Sequence, residues 1–392
     1  MQLLICLLFY FHQVLGGNPT NPEVWAELLG KVQAGSPFQE PAAPAPGGPA
    51  DQAGPKDPQK DTAPKIKGIY VTAHSAGGSS RWPALLELVD KTELNAMVID
   101  IKDDYGYITY PTDHPELAAM GASKKIIPDI RKLIDTLQEH DIYPIARIVV
   151  FKDSVLARKQ PDWSFLNPNG TVWQNNREES FVNPYIEEVW DYNILVAKEA
   201  ARLGFKEIQF DYVRFPEGFE KRADTLKYFK TEQSRVDIVA GFVQKALKEL
   251  EPLGVRVSVD IFGYAASVPA AEGIGQDFLK ISEAVHVISP MVYPSHYSTG
   301  WFNLKDPDKA PYETIKGAMR DTLKKLEPLG EARPIIRPWI QDFTANWLGA
   351  GHYIKYGRAE VEAQIRALKE SGIDEYLVWN PTNKYTAGVK YE

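Results

Sequence analysis

Polar and apolar residues alternate with a period of two through Glu207-Ile208-Gln209-Phe210-Asp211. The alternation predicts a strand whose Ile208 and Phe210 face a helical layer while Glu207, Gln209 and Asp211 face the other way. The same pattern returns at Arg256-Val257-Ser258-Val259-Asp260 and at Val98-Ile99-Asp100. Apolar strand-like runs lie at 66–72, 96–104, 142–151, 207–215, 255–264, 284–293, 333–340 and 375–380. Helical patterns fill the gaps at 82–93, 128–139, 184–203, 233–250, 312–326 and 359–370. Two of those helices run into the same string, Leu-Glu-Pro-Leu-Gly at 250–254 and at 326–330. There Pro and Gly stop the helix and turn the chain into the next strand. Eight strands alternating with helices predict an α/β fold, a parallel sheet closed into a (β/α)8 TIM barrel. An open doubly wound sheet would call for a Gly-rich dinucleotide turn early in the chain. The segment Asp100-Ile101-Lys102-Asp103-Asp104-Tyr105-Gly106 is not one.

The N-terminal part reads differently. An apolar run followed by Gly16 and Gly17 marks 1–17 as a signal peptide or N-terminal anchor. Residues 18–64 are rich in Pro, Ala and Gly, with Pro-Ala-Ala-Pro-Ala-Pro-Gly-Gly-Pro at 41–49, and read as a disordered linker. The catalytic domain is expected over 65–392. Such an order fits a secreted or cell-envelope protein with the N-terminus as a membrane tether.

Composition narrows the chemistry. With 392 residues and 44% hydrophobic content the chain can bury a large core. Its one cysteine, Cys6, leaves the folded part without a disulfide, a thiol nucleophile or a Cys-based metal site. A formal net charge of −8 and the lack of a long basic run argue against nucleic acid. The 9 Trp, 19 Tyr and 16 Phe suit carbohydrate, because the apolar faces of sugar rings stack on aromatic rings.

Barrel active sites form where strands end and loops begin. Those ends carry Tyr70 and His74, Asp100 and Asp104, Arg147, Asp211 and Arg214, then Asp260 and Tyr264. The later strands add Tyr293 and His296, Trp339, Trp379 and Asn380. Three strands aim an aspartate at one mouth, which points to acid/base chemistry and above all to glycoside hydrolysis, where one carboxyl is protonated and one ionised. Asp211 is expected as nucleophile or base and Asp260 as general acid. Asp100, Asp104, Arg147 and Arg214 are expected to support them, with Arg214 holding a carboxylate ionised. Tyr70, His74, Tyr264, Tyr293, His296, Trp339, Trp379 and Asn380 are expected to line a polysaccharide or oligosaccharide site. The Lys102-Asp103-Asp104 run is alternatively a solvated loop. His74, His286 and His296 form neither H-x-H nor H-E-x-x-H, so no metal and no cofactor is expected. Two other functions fit the same residues: a non-catalytic carbohydrate-binding barrel at the cell surface, and a metal-dependent deacetylase-type hydrolase.

The string Phe210-Asp211-Tyr212-Val213-Arg214-Phe215-Pro216 resembles a family of bacterial envelope-associated barrels, first catalogued as a domain of unknown function and then as glycoside hydrolases. Val259-Asp260-Ile261-Phe262-Gly263, Ser289-Pro290-Met291-Val292-Tyr293-Pro294 and Arg337-Pro338-Trp339-Ile340-Gln341-Asp342-Phe343 share the likeness, which spans about 65–385. The resemblance implies distant kinship with α-amylase-type barrels, in which an Asp ending strand four is the nucleophile. Asp211 holds that position. A Glu near strand five is the acid in that type, and this chain offers Asp260 instead. A pair of Glu residues on strands four and seven is not available, because strand seven ends in Gln341-Asp342.

Overall fold

The computed structural model describes residues 64–392. The expected signal or anchor and the Pro-rich linker up to 63 lie outside the described residues.

Nine strands occupy the eight expected places. They are β1 (Lys67–Val71), β2 (Ala96–Lys102), β3 (Tyr143–Val149), β4 (Glu207–Asp211), β5 (Arg256–Phe262), β6 (Val287–Met291), β7 (Ile335–Ile336), β8 (Trp339–Gln341) and β9 (Tyr376–Trp379). Every pairing is parallel, and β5–β6 together with β1–β9 closes the sheet on itself. The seventh place is shared. β7 pairs with β6 at Ile335 and Ile336, and β8 resumes at Met291↔Trp339. Pro338 stands in the gap and has no N–H to give the ladder.

The helices that follow the strands include α1 (Trp82–Asp90), α2 (Ile130–Glu139), α3 (Glu187–Leu203), α4 (Arg235–Leu250), α5 (Phe278–Ser282), α6 (Pro311–Leu326) and α7 (Arg358–Lys369). α5 escaped the sequence pattern because five residues are too few to show a 3.6-residue period. α4 ends at Leu250, and Gly254, at φ +71°, takes the left-handed turn that a Cβ would oppose.

The alternation sorts residues as expected. Ile208, Phe210, Val257 and Val259 face outward into a core shared with Leu137, Val189, Val239 and Phe242 of the helices. Phe210 and Phe242 meet edge to face at 5.3 Å, and burying side chains of this size is worth about 1.5–3 kcal/mol each. Inward-facing residues stack in layers. At the base, Arg337 bonds Glu207 at 2.8 and 2.9 Å and Glu375 at 2.9 Å. In the middle, Gln209 Nε2 donates to Ser289 Oγ at 3.2 Å, in an interior that also buries Val98, Ile145 and Leu377. The aspartates top the stack.

Candidate active site

The mouth is organised by one arginine. Arg147 comes from β3 between the two strands that carry Asp100 and Asp211. Its Nη2 and Nε both reach Asp211 Oδ2, at 2.6 and 3.0 Å. Its Nη1 reaches Asp100 Oδ1 at 2.7 Å and Asp104 Oδ2 at 3.1 Å. The guanidinium is 1% exposed, so these charge-assisted bonds act with little competition from water.

Each carboxylate meets a different environment. Asp211 Oδ1 accepts from the Tyr212 backbone N–H at 2.6 Å, so donors cover both its oxygens. That bond belongs to a strained turn, since Tyr212 has φ +52° directly after the strand. Asp260 is buried, and its recorded partner is the Trp339 indole N–H at 2.7 Å. Burial first, then the charge of Asp211, pushes its carboxyl well above the usual range. Asp100 accepts from the Tyr70 hydroxyl at 2.6 Å, and burial raises it to about 6 against the pull of Arg147. Asp104 is the opposite case: burial opposes its ionisation, but Arg147 and Lys152 outweigh it and hold the carboxyl at about 2. Its side chain is 37% exposed, so water screens part of that attraction.

Local structure explains how Asp104 gets there. A register shift between Asp100 and Lys102 takes Lys102 out of the mouth. Lys102 is buried in an ion pair with Asp153 at 2.7 Å and donates to the Val149 carbonyl at 2.6 Å. Asp103 Oδ1 then accepts the N–H groups of Tyr105, Gly106 and Tyr107. The run is therefore no solvated loop. One residue is buried, one builds the turn, and Asp104 faces the site.

Aromatic rings wall the carboxylates. Tyr70 stacks on Trp379 with centroids 3.9 Å apart, and Trp379 meets Trp339 edge-on at 5.4 Å. Tyr293 joins them 6.4 Å from Trp379 and 5.0 Å from the ring of His296, which is exposed. Arg147 lies 5.7 Å from the Tyr70 ring and 5.5 Å from that of Trp379.

The other expected residues meet different surroundings. Arg214 bonds the Phe215 carbonyl and Glu217 rather than Asp211 or Asp260. It pairs with Glu217 at 3.0 Å among the rings of Tyr212 and Phe262, each 4.8 Å away. The strand ends at Asp211 rather than 215, and the turn at Tyr212 carries Arg214 aside. Asn380 is fully occupied by the scaffold, donating to the Asp342 and Lys384 carbonyls and accepting from Thr382. Its amide has no donor left for a sugar. Tyr264 packs on Phe262 at 5.5 Å and Trp301 at 6.4 Å. His74 is exposed in the short helix Ala73–Ala76 after β1. His286 is structural, its Nδ1 accepting from the Val257 N–H at 2.9 Å.

Lys152 was missed. It bonds Asp104 at 3.2 Å, Glu179 at 2.8 Å and the Tyr212 hydroxyl at 3.3 Å. The signal was available, because Lys152 stands three residues past the third strand much as Asp104 stands two past the second. Among the described residues no group of three or more His, Cys, Asp or Glu is arranged to hold a metal ion.

A closed parallel barrel with aspartates and aromatic rings at its C-terminal mouth has the architecture of a (β/α)8 glycosidase. Residues 68–385 match the family described as "Putative glycosyl hydrolase domain", and the chain belongs to that family. Membership makes it an enzyme of the glycosidase class. Among solved structures, a hypothetical protein from Ruminiclostridium thermocellum is 35% identical, over 49% of this chain and 96% of its own, with a TM-score of 0.45. The β-galactosidase of the psychrophilic Marinomonas ef1 is 12% identical, over 80% of this chain and 54% of its own, with a TM-score of 0.54. The spore cortex-lytic enzyme SleL of Bacillus cereus is 11% identical, over 82% of this chain and 73% of its own, with a TM-score of 0.49. The β-galactosidase likeness is one of fold alone. No curated protein matches the chain.

Proposed function

We propose that the protein cleaves a glycosidic bond of a polysaccharide with two carboxyl groups, Asp211 as nucleophile or base and Asp260 as general acid. One contrast carries the reading. Asp211 ends β4 and Asp260 lies near the end of the adjacent β5, yet Asp211 is wrapped by Arg147 and the Tyr212 N–H while Asp260 is buried against an indole and pushed well above the usual range. A buried carboxyl that keeps its proton, beside one held by an arginine and a backbone N–H, supplies an acid and a base at one pH. Asp260 gives its proton to the departing sugar oxygen as the glycosidic bond breaks. Asp211 either attacks the anomeric carbon or takes a proton from the water that does. The half-buried Trp379 offers contact to the sugar, while Tyr70, Tyr293 and Trp339 are buried around it and hold it in place. The apolar N-terminus and the Pro-rich stretch support action outside the cytoplasmic membrane.

The test is release of reducing ends from a polysaccharide panel by the full chain and by Asp211→Asn. Release by wild type alone is expected. Equal release by both proteins would remove Asp211 from the mechanism.

A further inference from the structure

Four large hydrophobic side chains are conspicuously exposed among the described residues: Tyr105 at 67%, Phe229 at 57%, Trp347 at 49% and Leu253 at 41%. Leu253 lies in the turn before β5, at the base of the barrel. The three aromatics all lie in loops that follow strand C-termini, on the face that holds the carboxylates. Trp347 is the one joined to the site by other rings. It sits in the turn Asn346–Leu348 after β8 and stacks on Phe343, with centroids 5.7 Å apart and planes 25° from parallel. Phe343 meets Tyr293 at 5.9 Å, and Tyr293 meets Trp379 at 6.4 Å. A continuous row of rings thus leads from the Tyr70–Trp379 stack beside Arg147 out to solvent.

Core packing does not account for the outer end of the row. Phe343 packs on the barrel's inner cluster, but Trp347 belongs to neither buried cluster. The base of the row is nevertheless held firmly. Gln341 Nε2 donates to the Phe343 carbonyl at 3.0 Å and to Asp308 at 2.9 Å, and the Asp342 N–H bonds the Trp379 carbonyl at 3.0 Å. A large aromatic held out to water on a rigid base is set up to bind something. Nearby charge narrows what that is. Acids outnumber cations at the mouth, where Asp100, Asp104, Asp211 and Glu179 share Arg147 and Lys152 and the exposed Glu217 takes up Arg214, which disfavours a polyanion.

We infer that Phe343 and Trp347 form an outer subsite for an uncharged polysaccharide chain whose cleaved bond lies at Asp211 and Asp260. The inference rests on the glycosidase reading for the position of the cleaved bond, but the subsite's binding can be measured apart from turnover. The substrate is then a chain long enough to reach from the carboxylates to Trp347, and binding there contributes energy remote from the reacting atoms.

The experiment is affinity electrophoresis of the full chain in gels cast with soluble neutral glucan, galactan, mannan or xylan, or with a polyuronate. Asp211→Asn serves as the background, so that no glycan is consumed. At least one neutral glycan should retard the protein, and adding Trp347→Ala should weaken that affinity about tenfold, the upper end for a lost aromatic stack. Leu253→Ala, exposed at the opposite end of the barrel, should leave retardation unchanged. Retardation indifferent to Trp347, retardation by the polyuronate alone, or none at all would overturn the subsite. So would a shift in sedimentation as the sole effect of Trp347→Ala, which would assign the ring to contact between copies. Trp347-dependent retardation without release of reducing ends by wild type would keep the subsite and remove the glycosidase reading. Release with Trp347-independent retardation would do the reverse.

Discussion

Arg147 closes on Asp211 with two nitrogens on a single oxygen, Nη2 at 2.6 Å and Nε at 3.0 Å from Oδ2. The geometry leaves Oδ1 to the Tyr212 N–H and frees Nη1 for Asp100 and Asp104. One buried cation therefore serves three carboxylates, and everything else at the mouth is arranged around it.

Removing that cation should cost stability before it costs chemistry. Arg147→Met leaves three acids without their shared partner, and losing one side of a buried pair typically costs about 3–5 kcal/mol. Urea unfolding of wild type and variant measures this. Arg147→Lys keeps the charge but not the fork, so it should lose less stability while still impairing turnover. Equal stability of Arg147→Met and wild type would show that the acids do not depend on the arginine.

The two carboxyls should respond differently to the leaving group. Asp260→Asn removes the proton donor and should slow polysaccharide cleavage by about 10²–10⁴-fold. The same variant should be far less impaired on an aryl glycoside of the same sugar, whose leaving group needs no proton. Asp211→Asn should be impaired on both. Equal losses on both substrates for Asp260→Asn would take the acid role from it.

Trp339 tunes Asp260. Its indole N–H favours the ionised carboxylate, opposing the larger push from burial. Trp339→Phe removes that donor, so the Asp260 carboxyl should hold its proton to higher pH. The alkaline limb of the kcat/KM profile should move upward, while a limb that stayed put or moved down would assign that limb to another group.

Asp100 should leave its mark on stability against pH. Burial raises its carboxyl from the ordinary 3.8 to about 6. Between those values the folded chain keeps a proton that the unfolded chain gives up. The stability this group contributes is thus full below about 4 and is lost as pH rises through about 6. Relative to Asp100→Asn, wild type should lose about 2 kcal/mol between pH 4 and pH 7. Urea unfolding at intervals across that range checks the sign, and a gain by wild type with rising pH would contradict it.

The inward placement of Asp100, Asp211 and Asp260 was legible from alternation alone, because neighbouring residues on a strand must face opposite sides. Lys102 shows where that rule ends. It shares the parity of Asp100, but the register shift buries it against Asp153 instead. Arg214 shows the same limit at the other end of a strand, where the positive φ of Tyr212 ends the alternation and sends the guanidinium to Glu217. Asn380 looked like a sugar ligand because it ends the last strand, but its hydrogen bonds go to its own loop.

By itself the sequence determined the barrel, the inner face of each strand and the set of acids that could meet at the mouth. These follow from side-chain periodicity and from the order of strands and helices, both of which are local properties of the chain. Only the tertiary structure decided which cation serves which acid and which carboxyl keeps its proton. Arg147 and Asp211 are 64 residues apart in sequence and touch only once the sheet has formed. The burial that lifts Asp260, and the row of rings that ends at Trp347, exist only when segments distant in sequence have been packed together.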